Sequence, residues 1–399
     1  MNRRELLLLA AGAALAGCAS PIVPSARPPA SGTTTASGAD ADASGGFDAF
    51  CDALMARLAP AQGDLVLSPW SIATVLAMVR EGAAGTTADE LTAVLGGPPP
   101  SLDRLLPTGA GSALEAGNAL WGQRDLTWKQ PFLDRLSDSF DAPLHQSDFR
   151  ADPDAVRHEI NAWVEDRTKG KIPELLSAGM LDVSTRLVLV NAVHFAAPWH
   201  EPLAEVGPRP FTTAAGRRVE VPTLAGTTLR PWWSGDGVSG SAITCEGGEY
   251  ALVLVLPDDA ASGGPVPVAT FAKVLSADPA LVAVQLPAWT LRFRQELSAV
   301  LRQLGIPTAF DPRAADFSGM TDQEKLFLDF VVHEATVEVN AKGIEAAAAT
   351  AGGMAAAGAP TEPRSLVLDR PFSWALMHAP TRTCLFLGRV GDPARTSVG

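Results

Sequence analysis

From Phe330 to Val339 the chain alternates, with Val331, His333, Ala335, Val337 and Val339 on one side and Val332, Glu334, Thr336 and Glu338 on the other. A period of two puts each set on its own face of a strand. Further strand-like runs cover Leu187 to His194, Ala251 to Leu256 and Val282 to Leu286, and Pro257 and Pro287 stop the last two. Elsewhere the spacing is helical. Ile72, Val75, Leu76 and Val79 follow Ser68-Pro69, where serine can cap free amides and proline suits the first helical position, and Gly82 and Gly85 end the run. Thr87-Ala88-Asp89-Glu90 has the form of a capping box opening a helix through Leu95, and Ile160, Trp163 and Val164 mark a third helix ending near Gly170. Helical and strand segments mix without regular alternation, which predicts an α+β fold rather than a doubly wound sheet.

The first residues follow a different logic. Arg3 and Arg4 precede the apolar run Leu6 to Leu15, and Leu15-Ala16-Gly17-Cys18 follows. This is a targeting segment, and the tetrapeptide is similar to a bacterial lipobox, in which a peptidase cuts before a cysteine that is acylated. An ordinary secretory signal with an incidental cysteine is the alternative, and Arg3-Arg4 before Leu6-Leu7 also resembles a twin-arginine signal. Each reading exports the protein. With Cys18 lipidated it would be a membrane-anchored lipoprotein at the cell surface or in the periplasm. From Ala19 to Gly46 the only large apolar residues are Ile22 and Val23, too few to offset the entropy of ordering. The expected organisation is a signal peptide over 1–18, a flexible tether over 19–46 and one folded domain over 47–395.

With 399 residues, 47% of them hydrophobic, the chain can bury a large core. A net charge of -13 argues against nucleic acid as a partner. Cys51, Cys245 and Cys384 are widely spaced among apolar neighbours and are expected as small buried hydrophobes rather than a disulfide framework. His158-Glu159 and His333-Glu334 lack the second histidine of a helical zinc site, so neither a metal nor a cofactor is expected. Gly237-Val238-Ser239-Gly240-Ser241 misses the nucleophile-elbow pattern at its last position, which argues against a serine hydrolase.

Several blocks, in order, carry a resemblance to a known family. They are Leu67-Ser68-Pro69-Trp70-Ser71-Ile72 through Gly82-Ala83-Ala84-Gly85-Thr86-Thr87, then Asn118-Ala119-Leu120-Trp121, then Ile160-Asn161-Ala162-Trp163-Val164. Leu189-Val190-Asn191-Ala192-Val193-His194-Phe195 with Trp199 follows, then Leu304-Gly305-Ile306, Asp316-Phe317-Ser318-Gly319-Met320, Asp369-Arg370-Pro371-Phe372 and Phe386-Leu387-Gly388-Arg389-Val390. From Phe47 to Pro393 the chain resembles a serpin. The resemblance implies three β-sheets, one of them a five-stranded central sheet, about nine helices and an exposed reactive-centre loop. It implies a monomeric inhibitor of serine proteases, with cysteine proteases as a further class, and not an enzyme. A target protease would attack the loop, which would then insert into the central sheet as a new strand and trap the acyl-enzyme. The alternative is a non-inhibitory member, cleaved as a substrate or used as a binding module.

Within that resemblance Gly343, Ile344, Glu345, Ala346, Ala347, Ala348, Ala349 and Thr350 form the loop hinge. An inserted strand meets packed surfaces on both faces, and the small alanines suit either one. Gly343 is expected to supply the turn. Inhibitory members usually carry Glu at the position of Ala341 and a partner lysine at that of Ala288, so both partners are missing together. They also carry Thr or Ser where this chain has Ile344, whose β-branched side chain is expected to slow insertion. Counting from Ala341 puts the scissile bond at Ala357-Gly358, with Met354-Ala355 and Ala356-Ala357 as neighbours. No Lys or Arg lies between Gly343 and Pro363, so the expected targets are elastase-like or subtilisin-like. Ser68, Ser71, Asn191 and His333 match the polar cluster where the family's central strands part, and Trp199 matches the aromatic residue where the loop enters.

Overall fold

A computed structural model of the chain describes residues 39–59, 63–97, 114–140, 142–259, 264–344 and 362–395. Seven α-helices and sixteen strands lie among them. Helix α1 (Ala39–Leu58) opens before Phe47 and buries Phe47, Phe50, Cys51, Leu54 and Met55, the spacing of one helical face. After β1 (Leu65–Leu67), α2 (Pro69–Arg80) starts as its sequence implies, with Pro69 in the first turn and Ser68 Oγ accepting from the Ser71 amide. α2 is buried from Pro69 to Val79. Such a helix belongs inside a core rather than on its surface.

The start of α3 (Gly85–Leu95) departs from the capping-box pattern. Ala84 is its N-cap residue, without a side-chain bond, and Thr87 already lies in the first turn. Thr87 Oγ1 accepts instead from the Asp316 amide (3.0 Å). Two of the sequence blocks thereby lock together, since Ala84 N donates to Asp316 O and Gly319 N to Gly82 O. A Cβ on Gly82 would lie 2.2 Å from Met320 Cγ, so the close approach requires glycine there.

Hydrogen bonding defines three sheets. In the first, β2 (Leu114–Gln123) lies between β3 (Leu144–Ser147) and β4 (Leu187–Phe195). In the second, β11 (Trp289–Glu296) pairs with β12 (Val332–Val339), followed by the short β13 (Gly343–Ile344) and β5 (Ala197–Pro198). The third has nine strands: β1, β6 (Ala204–Thr212), β7 (Arg218–Gly235), β8 (Val238–Thr244), β9 (Tyr250–Pro257), β10 (Pro279–Pro287), β14 (Arg364–Val367), β15 (Phe372–His378) and β16 (Thr383–Val390). β7 is long enough to pair with β6 and β10 along one stretch and with β8 along another, which joins two layers in one ladder. The remaining helices are α4 (Gln130–Phe140), α5 (Pro153–Arg167), α6 (Val268–Leu275) and α7 (Ser298–Leu304).

The five strands of the expected central sheet are all present, bonded as three (β3, β2, β4) and two (β11, β12). At their upper end β13 lies between β12 and β5, the continuation of β4. A strand in that place holds its neighbours about 9.6 Å apart, twice the ladder spacing, and so keeps them from pairing with each other there. Helix α5 covers the outer face of the divided sheet. Ile160 and Val164 pack with Trp121, Val188 and Val190 from one panel and with Val332 from the other. The linker after α5 is pinned to it, because Asn161 exchanges hydrogen bonds with Leu176 N and O (2.8 and 2.9 Å).

Candidate functional site: the upper end of the divided sheet

The chain reverses at Asn340. Its Oδ1 accepts from the Lys342 (2.9 Å) and Gly343 (3.2 Å) amides, and its own amide donates to Gly343 O (3.0 Å). This Asx-type turn sends the chain back beside the strand it has just left. Gly343 does not adopt a left-handed conformation. The turn belongs to Asn340 to Lys342, and Gly343 is the first residue of a strand rather than the turn that its sequence setting implies.

Ile344 then pairs with Val339 on one side and Ala197 on the other, both antiparallel, while Gly343 faces Pro198. The Ile344 side chain is 0% exposed. The β-branched residue expected to hinder entry has therefore already entered, where its shape suits a buried strand. Trp199 holds the turn from the other side. Its amide donates to Lys342 O (2.9 Å) and its Nε1 to Asn340 O (2.9 Å), and the Leu203 amide donates to Ala341 O (2.9 Å). Ala341 and Ala288 pack against the main core, so the loss of both charges leaves no unpaired ion.

Further down, Ser68 joins three elements. Its amide donates to His333 Nε2 (3.1 Å), which ties α2 to β12, and its Oγ donates to Leu385 O (2.7 Å) in β16. Because Nε2 accepts, the His333 ring is neutral with its proton on Nδ1. Burial lowers its pKa from 6.5 to about 4, in keeping with that state. Ser71 is buried next to Ser68, with no partner for its Oγ among the described residues. The backbone of Asn191 lies opposite Asn118 in β4. Glu345 to Thr350, the bond Ala357-Gly358 and Cys18 lie outside the described residues.

The sequence pattern did not single out the charges on the outer face. Glu334 in β12 has a side chain 0% exposed, and Arg292 Nε lies 2.7 Å from its Oε1 and Arg294 Nε 4.0 Å from its Oε2. Burial raises the Glu334 pKa against the pull of both arginines. Arg294 also reaches out of the sheet, donating through Nη2 to Leu175 O (2.6 Å) and Ser177 Oγ (2.9 Å) in the linker after α5. One arginine thus connects the β11–β12 panel to the segment that leads into β4. The charged face of the alternating strand was visible in the sequence, but its partners were not.

Fold and site together define a class of protein with two sheet panels and a chain segment that has begun to add a strand between them. The family model described as Serpin (serine protease inhibitor) matches residues 46–393. The chain belongs to the serpin family. It is similar to the leukocyte elastase inhibitor of Bos taurus, 32% identical over 355 residues that cover 83% of this chain and 93% of the relative. It is likewise similar to plasminogen activator inhibitor 2 of Homo sapiens, 30% identical over 404 residues covering 85% and 96%. Among solved structures, the thermophilic serpin tengpin in its native state superposes with a TM-score of 0.78 at 24% identity, covering 91% of this chain and 96% of that one. Native protease nexin-1 with heparin superposes with a TM-score of 0.76 at 27% identity, covering 89% and 98%.

Proposed function

We propose that this chain is a suicide-substrate inhibitor of elastase-like or subtilisin-like serine proteases, which traps the acyl-enzyme by inserting its loop between β4 and β12. The observation that carries this reading is the pairing of Gly343 and Ile344 with both neighbours of that gap. Continued in the same register, Ala346 falls between Val337 and Phe195, and Ala348 between Ala335 and Val193. Thr350 reaches His333 and Asn191, the level of the polar cluster. Each inward position so reached is an alanine or a threonine, which the packed core accepts without displacing a neighbour.

In the reaction the protease serine Oγ attacks the Ala357 carbonyl carbon, the Ala357–Gly358 bond breaks, and the new amine of Gly358 leaves with the proton taken from serine. Strand addition then carries the ester-linked protease away before water attacks. The cattle and rodent relatives named as leukocyte elastase inhibitors support small apolar specificity. The Cys18 lipid anchors the exported monomer to a membrane, and the residues after it set the inhibitor's reach.

Incubation with elastase, subtilisin and trypsin, followed by denaturing electrophoresis, tests the proposal. Elastase or subtilisin should give a covalent complex that survives denaturation, with Gly358 as the new N-terminus of the released fragment. Cleavage near Ala357 with no complex would replace inhibition with a substrate or binding role. Mass analysis of the membrane-extracted protein checks Cys18 for acyl groups.

A further inference from the structure

β7 and β8 are laddered from Trp232/Ser241 to Gly235/Val238, and then they part. β7 runs on with β10, β8 runs on with β9, and a cavity of about 60 Å³ opens in the fork. Arg230 from β7 and Ile243 and Thr244 from β8 line it, with His200 and Glu201 at its mouth. Thr228 shares a face with Arg230, two residues along the strand.

Arg230 is 5% exposed, its Nε is buried without a partner, and no ion pair reaches it within 4 Å among the described residues. Burial pulls its pKa down, and the field of Glu201, an exposed residue, opposes that pull. A guanidinium taken out of water without an anion is strongly unfavourable and is not relieved by losing its proton. The backbone also makes room for it. A Cβ on Gly226 would lie 3.2 Å from Arg230 Nη2 and 2.8 Å from Leu203 Cδ2, so glycine leaves the guanidinium its place.

We infer that this fork is a binding site for a small carboxylate, held by the Arg230 guanidinium beside Thr228 and Thr244. A planar guanidinium pairs with two oxygens of one anion at once. The cavity takes about four to six water-sized spheres at roughly 10–15 Å³ each, room for an acetate-sized group. Glu201 at the mouth repels a second negative charge, which favours a monoanionic carboxylate over a phosphate dianion. The site also adjoins the hinge, because His200 and Glu201 follow Trp199 and the His200 amide donates to Thr244 O (3.0 Å). An occupant therefore bears on the segment that holds Asn340 to Lys342, although its binding does not depend on the loop inserting.

The full chain is titrated with sodium acetate and with inorganic phosphate against sodium chloride at matched ionic strength, read by calorimetry and thermal shift. Saturable acetate binding is expected, at least tenfold tighter than phosphate. Arg230→Gln should weaken it tenfold or more, and Glu201→Gln should tighten it several-fold, a sign that a merely structural role would not produce. Gly226→Ala, which crowds the guanidinium without removing it, should weaken acetate binding and serves if Arg230→Gln does not fold. Phosphate binding tighter than acetate would overturn the carboxylate assignment. Absence of saturable binding, or equal binding in all variants, would show a guanidinium hydrated by ordered water alone and overturn the site.

Discussion

Replacing Arg294 with Met tests whether one side chain closes the gap through which a new strand would pass. Arg294 is a β11 residue, yet its Nη2 bonds Leu175 O and Ser177 Oγ in the linker between α5 and β4. Its side chain is 27% exposed, so water can rehydrate part of what the substitution frees. Hydrogen bonds from a charged donor contribute about 1.5–3 kcal/mol. With rehydration, loss of this pair should weaken the closed linker by about 2 kcal/mol, or roughly thirtyfold in the opening equilibrium.

Hydrogen exchange followed by mass spectrometry reads this directly. Peptides spanning 171–182 should exchange about thirtyfold faster in Arg294→Met under conditions where closing outpaces exchange. α2 and β16 should be unchanged. Arg292→Met is the control, because Arg292 bonds Glu334 (2.7 Å) and makes no hydrogen bond to the linker among the described residues. It should disturb β12 while leaving 171–182 protected. If Arg294→Met leaves the linker's exchange unaltered, or if Arg292→Met loosens it equally, the bridge is not what holds the linker closed.

Three further outcomes follow from the same geometry. Ile344→Ala removes a fully buried side chain from the two-residue strand β13, at about 2–4 kcal/mol; exchange of 340–344 should rise at least thirtyfold, and unchanged protection would refute the pairing. In the proposed insertion register Ala348→Glu would put a carboxylate at an inward position between Ala335 and Val193, at several kcal/mol, so denaturation-resistant complex should fall at least tenfold with cleavage retained; undiminished yield would sink that register. His333 has its pKa lowered from 6.5 to about 4, so its contribution is complete above 6.5 and is lost as pH falls toward 4, about 3 kcal/mol in all. The difference in denaturant stability between wild type and His333→Gln should shrink over that window, and a pH-independent difference would refute the assignment.

Much of the fold can be read locally. Ser68-Pro69 signals the start of α2 because cap and first turn are set by adjacent residues, and alternation over 331–339 follows β12 because both faces of one strand lie in one stretch of chain. Thr87 misled for a physical reason. Its hydroxyl had a choice between a helix amide and Asp316, more than two hundred residues away, and only the tertiary structure decides that. The reach of Arg294 to Leu175 and the docking of Gly343–Ile344 against Ala197–Pro198 are hidden in the same way. Neither has a local period or a turn signal. Asn340 is the exception, since Asn followed three residues later by Gly is a turn pattern that could have been recognised.

Placing Ile344 inside the sheet moves the expected barrier to insertion. From sequence, a β-branched residue at the loop's threshold looks like the obstacle, because burying it would have to accompany the first step. The structure puts that burial in the resting state, where it stabilises the closed turn through Val339 and Ala197. In the proposed insertion register the next residue, Glu345, would come opposite Glu338, a cross-strand pair of like charges worth about 0.2–1 kcal/mol and weakened by salt. That is smaller than the loss reckoned for the Arg294 bridge. The larger resistance then lies lower down, where Val332 packs with Val188 and Val190 beneath α5 and Arg294 fastens the linker across the gap. An inhibitor built this way would be limited by release of the linker rather than by entry of the hinge. Arg294→Met should therefore speed complex formation more than any substitution at Ile344 or Glu345, and stopped-flow rates with elastase rank the three.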